Sequence, residues 1–300
     1  MLFPLVARGR RALVVVIVTT FVFSGIVSVV STRPASAAGA ATLIQHPTRQ
    51  TTADFPPNTD FAVPWTVPPT PGDTFLVAAS NYCATSSTTP AITSDPGGWT
   101  LVTHAFGTNE GGFMWGKLLL WRWTGAGAPG NVVMQMQGGT PSCDMSVAAF
   151  EYQGLQPNPV DVNMQTSFNG TPAQWTLPTV TTAQDNELLF VVEANRKTVT
   201  SVTSVTPGFT IESNKVSSGG TTDMGLATAD RVAATAGAYT PVINFCGGCG
   251  GHPGAIVLGL RIAPASGTAP AISNIAVSNI TGTSATVTWT TDQVSTSAVA

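Results

Sequence analysis

Residues 143–161, CDMSVAAFEYQGLQPNPVD, form the stretch from which we infer the fold. Between Met145 and Phe150 no side chain is charged, and Ser146 is the only polar one. Because alternate residues of a strand point to opposite faces, both faces of this stretch are apolar. A short apolar run that ends at a glycine and a Pro-Asn-Pro turn is typical of a strand covered on both sides. We therefore predict a central strand of a β-sandwich here.

The composition limits both the architecture and the partners. Of the 300 residues, 43% are hydrophobic, which is enough for a large core, and only 9% are charged. Roughly 25% charged residues is usual in soluble domains, so the surface must consist mainly of uncharged polar side chains. Such surfaces are common on extracellular β proteins. The formal charge of −3 and the scattered basic residues argue against a nucleic-acid partner, because phosphate binding needs clustered Lys and Arg.

Residues 1–37 have the pattern of a secretory signal peptide. Arginines at positions 8, 10 and 11 precede an apolar run over 12–30, and Ala35-Ser36-Ala37 supplies a small-x-small cleavage site. An uncleaved membrane anchor is the alternative, because a run of about 19 residues can span a bilayer. We expect cleavage after Ala37, a secreted or cell-surface location without membrane association, and a leader that takes no part in the fold.

Short segments separated by Gly, Pro, Asn and Asp follow the leader over residues 40–263. Regular short strands with turn signals and no long helical period predict an all-β domain. The segments TFLVAA (74–79) and LLFVV (188–192) are predicted as further buried strands. The segment ATADRVAATA (227–236) has the alanine content of a helix, but its β surroundings favour a strand, which we predict.

Several of these segments together resemble a known kind of domain. They occur in the order PGDTFLVAA (71–79), SDPGGWTLV (94–102), a Trp-rich strand, AAFEYQGLQPNPVDV (148–162), DNELLFVV (185–192) and PGFT (207–210). This order is similar to that of secreted bacterial and phage-associated jelly-roll domains, and the resemblance covers most of residues 40–263. It implies a jelly-roll, concanavalin-like β-sandwich. Because its motifs are turns and core strands, it implies no catalytic residue.

Three tryptophans, Trp115, Trp121 and Trp123, lie at odd positions of one predicted strand and therefore project from one face. One interpretation is a layer of the hydrophobic core. The alternative is an aromatic platform that binds a sugar ring, since indole faces suit the apolar faces of sugars.

Four cysteines, Cys83, Cys143, Cys246 and Cys249, suggest disulfides in an exported chain. Of the three pairings we favour Cys83–Cys143 between strand ends and Cys246–Cys249 as a local closure. The alternatives are free thiols, or a metal site in which Cys246, Cys249 and His252 act as ligands together with Cys83 or Cys143. We expect no cofactor. Calcium occurs in sandwiches of this kind, but no loop here has the Asp density of a known calcium site.

Five carboxylates lie in or near predicted strands: Asp144, Glu151, Asp161, Glu187 and Glu193. A glycosidase needs two carboxylates roughly 5 to 10 Å apart across a sugar, and Glu151 and Glu193 are the two that could face a cleft. The simpler interpretation is one solvated carboxylate on each strand. The sequence contains no G-x-S-x-G, H-E-x-x-H or phosphate-binding motif. We therefore predict no catalytic residue and no enzyme.

A linker at 264–270 precedes the C-terminal segment 271–300. There Ala285, Val287 and Trp289 alternate with threonines in the period of a strand. The segment closely resembles the beginning of a fibronectin type III domain, with Trp289 at the usual core position of its second strand. The resemblance covers about the first third of such a domain. We expect an incomplete immunoglobulin-like segment that is disordered or pairs opportunistically, because two or three strands cannot bury a sandwich face.

Three functions fit these features. The first is a secreted, non-catalytic binding or adhesion module with a polysaccharide or cell-surface glycan as partner. The second is the accessory front of an extracellular hydrolase, such as a glycoside hydrolase or a metallophosphatase, with its catalytic domain beyond residue 300. The third is a structural cell-wall or phage component. Fibronectin-like neighbours are common spacers in adhesive multidomain chains, so architecture by analogy favours the first.

Overall fold

A computed structural model describes residues 12–19, 39–51, 55–83, 89–106, 115–137, 143–167, 170, 172–195, 202–217, 224–246, 254–264, 272–281 and 284–291. The chain divides into two compact units. The larger unit is Ala38–Ala263, and the smaller one combines Met1–Ala37 with Pro264–Ala300. No helix long and apolar enough to cross a membrane occurs in these ranges.

All regular elements in the described ranges are strands, which confirms the all-β prediction. In chain order they are β1 (Ala12–Thr19), β2 (Thr42–Gln45), β3 (Thr48–Gln50), β4 (Phe61–Val63), β5 (Thr74–Cys83), β6 (Thr89–Ile92), β7 (Trp99–Phe106), β8 (Trp115–Trp123), β9 (Val132–Gln137), β10 (Cys143–Gln153), β11 (Leu155–Ser167), β12 (Gln174–Thr176), β13 (Val180–Thr182), β14 (Glu187–Asn195), β15 (Val202–Thr206), β16 (Thr210–Val216), β17 (Gly225–Ala233), β18 (Gly237–Tyr239), β19 (Val242–Phe245), β20 (Gly254–Ile262), β21 (Ile272–Ser278) and β22 (Ser284–Thr291). The ambiguous segment at 227–236 falls mostly on β17, as predicted.

The larger unit is built from two halves with the same topology. In the first repeat, β2–β10, a large antiparallel sheet has the order β2-β10-β5-β8-β7, and a small sheet has the order β4-β9-β6. In the second repeat, β11–β20, the corresponding orders are β11-β20-β14-β17-β16 and β12-β19-β15. Each of these eight strands in one repeat therefore has a counterpart in the other. In the first repeat β3 also pairs with β10, and in the second repeat β13 and β18 form a separate pair.

Matching β-bulges support this duplication. The first repeat has a bulge between Leu101 and Thr103 on β7, and the second has one between Ile211 and Ser213 on β16. A second pair of bulges interrupts the pairing of β10 with β2 and that of β20 with β11. A β-bulge adds one residue at a defined position of a strand and bends the strand there. Because the bulges recur at matching positions, they define which residue of one repeat corresponds to which residue of the other.

The large sheets of the two repeats pack face to face, and we call their interface the seam. One apolar cluster fills it, with Leu76, Leu120 and Phe150 from the first repeat and Phe190 and Leu258 from the second. Strand β10 packs against β16 and β17, while its counterpart β20 packs against β7 and β8. This reciprocal pattern is that of a two-fold interface. The sequence analysis expected a β-sandwich over 40–263. The larger unit covers Ala38–Ala263 and contains two pairs of sheets that share the seam.

Each small sheet covers the outer face of its own large sheet. Met134 and Val147 belong to the outer core of the first repeat, and Val191 and Ile243 to that of the second. The two large sheets are therefore covered on both faces, which explains their near-continuous apolar strands. Strand β10 lies inside its sheet and is buried from Cys143 to Tyr152, so the predicted central strand is confirmed.

The smaller unit is a three-stranded antiparallel sheet in the order β1-β22-β21. Strand β1 pairs with β22 along its whole length, from Ala12 opposite Thr291 to Thr19 opposite Ser284. This differs from the expectation that the leader takes no part in the fold. The physical reason is that β22 has a backbone edge that β21 does not pair, and an apolar segment with high β propensity satisfies it. Trp289 is buried, while Ile275 is 67% exposed.

We predict that Phe190→Ala destabilises both repeats at once. Phe190 is fully buried in the seam, and its ring lies 5.1 Å from that of Phe150 of the other repeat. Truncation of a core phenylalanine costs about 3–5 kcal/mol. Urea unfolding followed by tryptophan fluorescence and by far-ultraviolet circular dichroism should show one shared transition at lower urea. Val232→Ala, at an exposed apolar side chain, is the control; equal effects of the two variants would contradict the seam.

Candidate functional site

The two repeats direct the same strand ends to one end of the larger unit, which we call the loop pole. Ser80 Oγ on β5 donates to Gly225 O at 3.2 Å, and Ser146 Oγ on β10 donates to Met224 O at 2.9 Å. These bonds place the end of β5 and the start of β10 beside the start of β17. The antiparallel registers then bring the ends of β7 and β14 and the start of β20 to the same pole.

The two sides of the seam differ in chemistry although their strands are equivalent. On the polar side, where β10 meets β16 and β17, the facing residues include Tyr152, Glu212 and Asp230. Their counterparts on the apolar side, from the matched registers and bulges, are Leu260, Val102 and Arg122. A duplicated scaffold needs apolar residues on both sides for packing alone. Packing of the two equivalent repeats therefore does not account for the titratable groups on the polar side.

In addition to the bond from Ser146 to the Met224 backbone, a hydrogen bond between two side chains joins the repeats on the polar side. The Tyr152 hydroxyl donates to Asp230 Oδ2 at 2.6 Å. Burial raises the pKa of Tyr152, and the nearby charge of Asp230 adds to the effect. Burial also raises the pKa of Asp230, although the bond from Tyr152 and the proximity of His46 oppose that shift. The pKa of Glu212 is raised by burial and then by Asp230, against the effect of His46.

Further polar groups lie along the same side of the seam. Ser213 and Thr228 face each other across β16 and β17, and each is at least 96% buried. Their hydroxyls have no hydrogen-bond partner among the described residues. Toward the loop pole, Asp144 is fully buried and accepts from Thr51 Oγ1 at 3.0 Å. An unsatisfied buried hydroxyl costs about 1–3 kcal/mol, so this side is less stable per residue than its apolar counterpart.

On the apolar side of the seam, Arg122 donates to uncharged oxygens and, among the described residues, does not pair with a carboxylate. Its guanidinium donates to Pro157 O at 3.0 Å and to Asn158 Oδ1 at 3.3 Å. Burial lowers the pKa of Arg122. The counterpart of the acidic cluster is thus a single basic side chain that ties β8 to β11.

The carboxylates singled out from the sequence serve as internal anchors. Glu151 is fully buried on the outer face of its sheet, where it accepts from Thr70 N at 2.7 Å and from Gln45 Nε2 at 2.5 Å. Gln45 Oε1 in turn accepts from the backbone of residues 66 and 67. Burial, together with the hydrogen bond and charge of Glu151, raises the pKa of Asp73 to about 6. These contacts fix the loop that leads into β5.

The second repeat fixes the equivalent loop with a carboxylate from a different strand. Glu187, the counterpart of Asp73, accepts from Gln184 N at 3.1 Å, which is the counterpart of Thr70 N. The counterpart of Glu151 is Gly259, where an added Cβ would lie 3.1 Å from Glu187 Oε2 and 2.8 Å from Val162 Cγ1. Glycine therefore leaves the space that the Glu187 side chain uses. Asp161, the fifth candidate, accepts from Ala183 N at 3.0 Å and pairs with Arg261.

Glu193 and Glu151, the proposed pair across a cleft, do not come together. Glu193 lies in the second repeat and faces its outer core, so both large sheets separate it from Glu151. It is 1% exposed, and Asn195 Nδ2 donates to both of its oxygens, at 2.8 and 3.0 Å. Burial raises the pKa of Glu193 to about 8 despite this bond. The alternative of one solvated carboxylate per strand is also wrong for both residues, since each is buried.

Of the three tryptophans, Trp121 and Trp123 have described side chains, and both pack against neighbouring residues. Trp121 is 8% exposed and belongs to the outer core of the first repeat. Trp123 is half-buried, packs edge-on against Trp99 with ring centroids 5.3 Å apart, and donates from Nε1 to Gly127 O at 3.0 Å. The side chain of Trp115 lies outside the described residues. Trp121 is therefore a core residue, while the sugar platform stays a prediction.

Two of the four cysteines have described side chains, Cys143 and Cys246, and neither is a free thiol. The strand register places Cys83 directly opposite Cys143. Cys249 and His252, of the metal alternative, lie outside the described residues. Within the described part of the chain, no three His, Cys, Asp or Glu side chains form a group that could hold a metal ion.

Comparisons with family models, with curated proteins and with solved structures gave no match. The resemblances to jelly-roll and fibronectin type III domains therefore remain predictions. The sequence analysis did not identify the cluster of His46, Tyr152, Glu212 and Asp230. The signal that could have found it is the internal repeat. DTFLVAASN (73–81) aligns with ELLFVVEAN (187–195), and when that alignment is extended along both repeats, Glu212 and Asp230 have no acidic counterpart in the first repeat.

We predict that the chain is more stable in mild acid than in alkali. Because the pKa of Glu193 is about 8 when folded, against 4.5 ordinarily, the folded chain binds this proton more tightly than the unfolded chain does. The contribution is complete below about pH 4.5 and is lost as the pH rises to about 8. The raised pKa values of Asp73, Glu187, Glu212 and Asp230 act in the same direction.

Differential scanning calorimetry tests this. Between pH 5 and pH 8.5 the Tm should fall by roughly 5–10 °C, and Glu193→Gln should remove the largest part of that slope. Asp60→Asn, at an exposed carboxylate, should keep it. A Tm that rises with pH in the parent chain would show that the buried carboxyl groups are ionised in the folded state.

Proposed function

We propose that the larger unit is a non-catalytic binding or adhesion module of an exported multidomain protein, with polysaccharide as its ligand class. The observation that supports this most is the loop pole. Both repeats direct the same strand ends to one end of a scaffold whose two large sheets are covered on both faces. Binding residues in sandwiches concentrate where a rigid scaffold presents its connections together.

The internal use of the carboxylates agrees with a binding role. Glu151, Glu187 and Asp161 accept hydrogen bonds from backbone amides that they hold in place, and Glu193 bonds to Asn195. The oxygens that accept these bonds are therefore committed to structure. A glycan presents hydroxyls in place of net charge, so a surface with few charged residues suits it better than a polyanion. The tryptophan layer lends no support to the ligand class.

The jelly-roll and fibronectin type III likenesses belong to the same proposal. The proposed combination is typical of secreted adhesive chains. It consists of a signal peptide, a disulfide-stabilised sandwich and a fibronectin-like neighbour. We propose the pairings Cys83–Cys143 and Cys246–Cys249, the first because the two residues face each other in adjacent strands at the loop pole. A bridge there would hold the ends of β5 and β10 together under the connections.

Screening the exported chain on a glycan array tests the binding role. We expect binding to at least one polysaccharide class, and at least a tenfold loss of affinity in Gln137→Ala/Thr203→Ala, two exposed residues at the loop pole. The matched control is Thr70→Ala/Gln153→Ala, two exposed residues at the opposite end. Equal loss in both variants would place binding elsewhere, and no binding to any glycan would favour a structural component.

A further inference from the structure

The polar side of the seam unites four titratable groups from four segments of the chain. Tyr152 is on β10, His46 on the link between β2 and β3, Glu212 on β16 and Asp230 on β17. The first two belong to one repeat and the last two to the other. Tyr152 donates across the seam to Asp230, and His46 packs against Phe150 with ring centroids 6.4 Å apart. The cluster therefore connects the repeats at the edge where β16 is the last strand of its sheet.

We propose that this cluster is a pH-dependent latch between the two repeats, which holds the polar side of the seam closed in mild acid and loosens it in alkali. The latch is independent of the proposed binding role, because it follows from the seam alone. The moving element is β16, which has a sheet partner on one side only.

The charges of the cluster change in a way that supports the latch. The raised pKa values of Glu212 and Asp230 favour their protonated forms in the folded chain, and these forms bury no charge at the seam. In alkali, Glu212 and Asp230 both carry a negative charge on adjacent strands. Their raised pKa values reflect this cost of burial and mutual repulsion. Like charges in a poorly solvated site repel strongly.

The other charged groups near these strands do not compensate the two carboxylates. Arg231 follows Asp230 but points to the opposite face of β17, where its guanidinium lies over the rings of Phe209 and Tyr239. Arg49 on β3 donates to Ala62 O and lies over the ring of Phe61, 4.4 Å from its centroid. Lys215, on β16, is exposed.

The duplication supplies an internal reference for the test. Strand β7 is the counterpart of β16, and it packs on the apolar side, where Leu260, Val102 and Arg122 replace the cluster. Both are edge strands with a bulge at the same position. The ratio of amide protection between β16 and β7 therefore cancels the ordinary acceleration of exchange with pH.

Hydrogen exchange measured by mass spectrometry on the full chain at pH 6 and pH 9 tests the latch. We expect the protection of residues 210–216, relative to residues 99–106, to fall at least tenfold at pH 9. Glu212→Gln/Asp230→Asn should abolish this fall, and Arg122→Gln should retain it. An unchanged ratio in the parent chain would overturn the proposal.

A second measurement covers variants that fold poorly. In urea unfolding, the Glu212→Gln/Asp230→Asn variant should be more stable than the parent at pH 9, and this difference should become smaller at pH 5.5. Lower stability at both pH values would show that the cluster is merely a packing element and would also overturn the latch.

Discussion

The burial of two apolar sheet faces against each other is the constraint on which the larger unit depends. Each repeat has a small sheet that covers its outer face, but neither repeat can cover the inner face of its own large sheet. Burial is worth about 25 cal/mol per Å² of apolar surface, and the seam includes fully buried side chains as large as Phe150, Tyr152 and Phe190. The two repeats therefore stabilise each other, and the low surface charge is compatible with a core of this size.

The seam also explains where the chemistry of the molecule lies. Equivalent positions have opposite character on its two sides: Asp230 matches Arg122, and Tyr152 matches Leu260. One side retains the packing that the duplicated fold requires, while the other has acquired titratable groups and hydroxyls that folding does not need. The same comparison explains the anchors of the loops, where Glu187 replaces Glu151 and Gly259 leaves room for it. The two repeats thus share one backbone arrangement but carry their polar side chains at different positions.

Local patterns predicted the strands well and the arrangement of the strands poorly. The uncharged run within β10 and the apolar runs of β5 and β14 predict buried strands because burial on both faces leaves no polar positions. The duplication went unrecognised because the repeats share the pattern of side-chain burial more than the residues themselves. The acidic cluster could not be found either, since strands far apart in sequence meet there and each contributes one ordinary-looking residue. Glu151 and Glu193 are buried because small sheets cover them. The local sequence around each residue does not predict which sheet covers it.

Contact across the seam is the central claim, and nuclear Overhauser effects between aromatic protons test it most directly. In a sample with selectively labelled phenylalanine, assigned by single substitutions, the rings of Phe150 and Phe190 should give a strong cross-peak, because their centroids lie 5.1 Å apart. A cross-peak of that strength is the predicted result. Two well-resolved ring systems without a cross-peak, in a folded chain, would show that the repeats do not share a core and would contradict the architecture described.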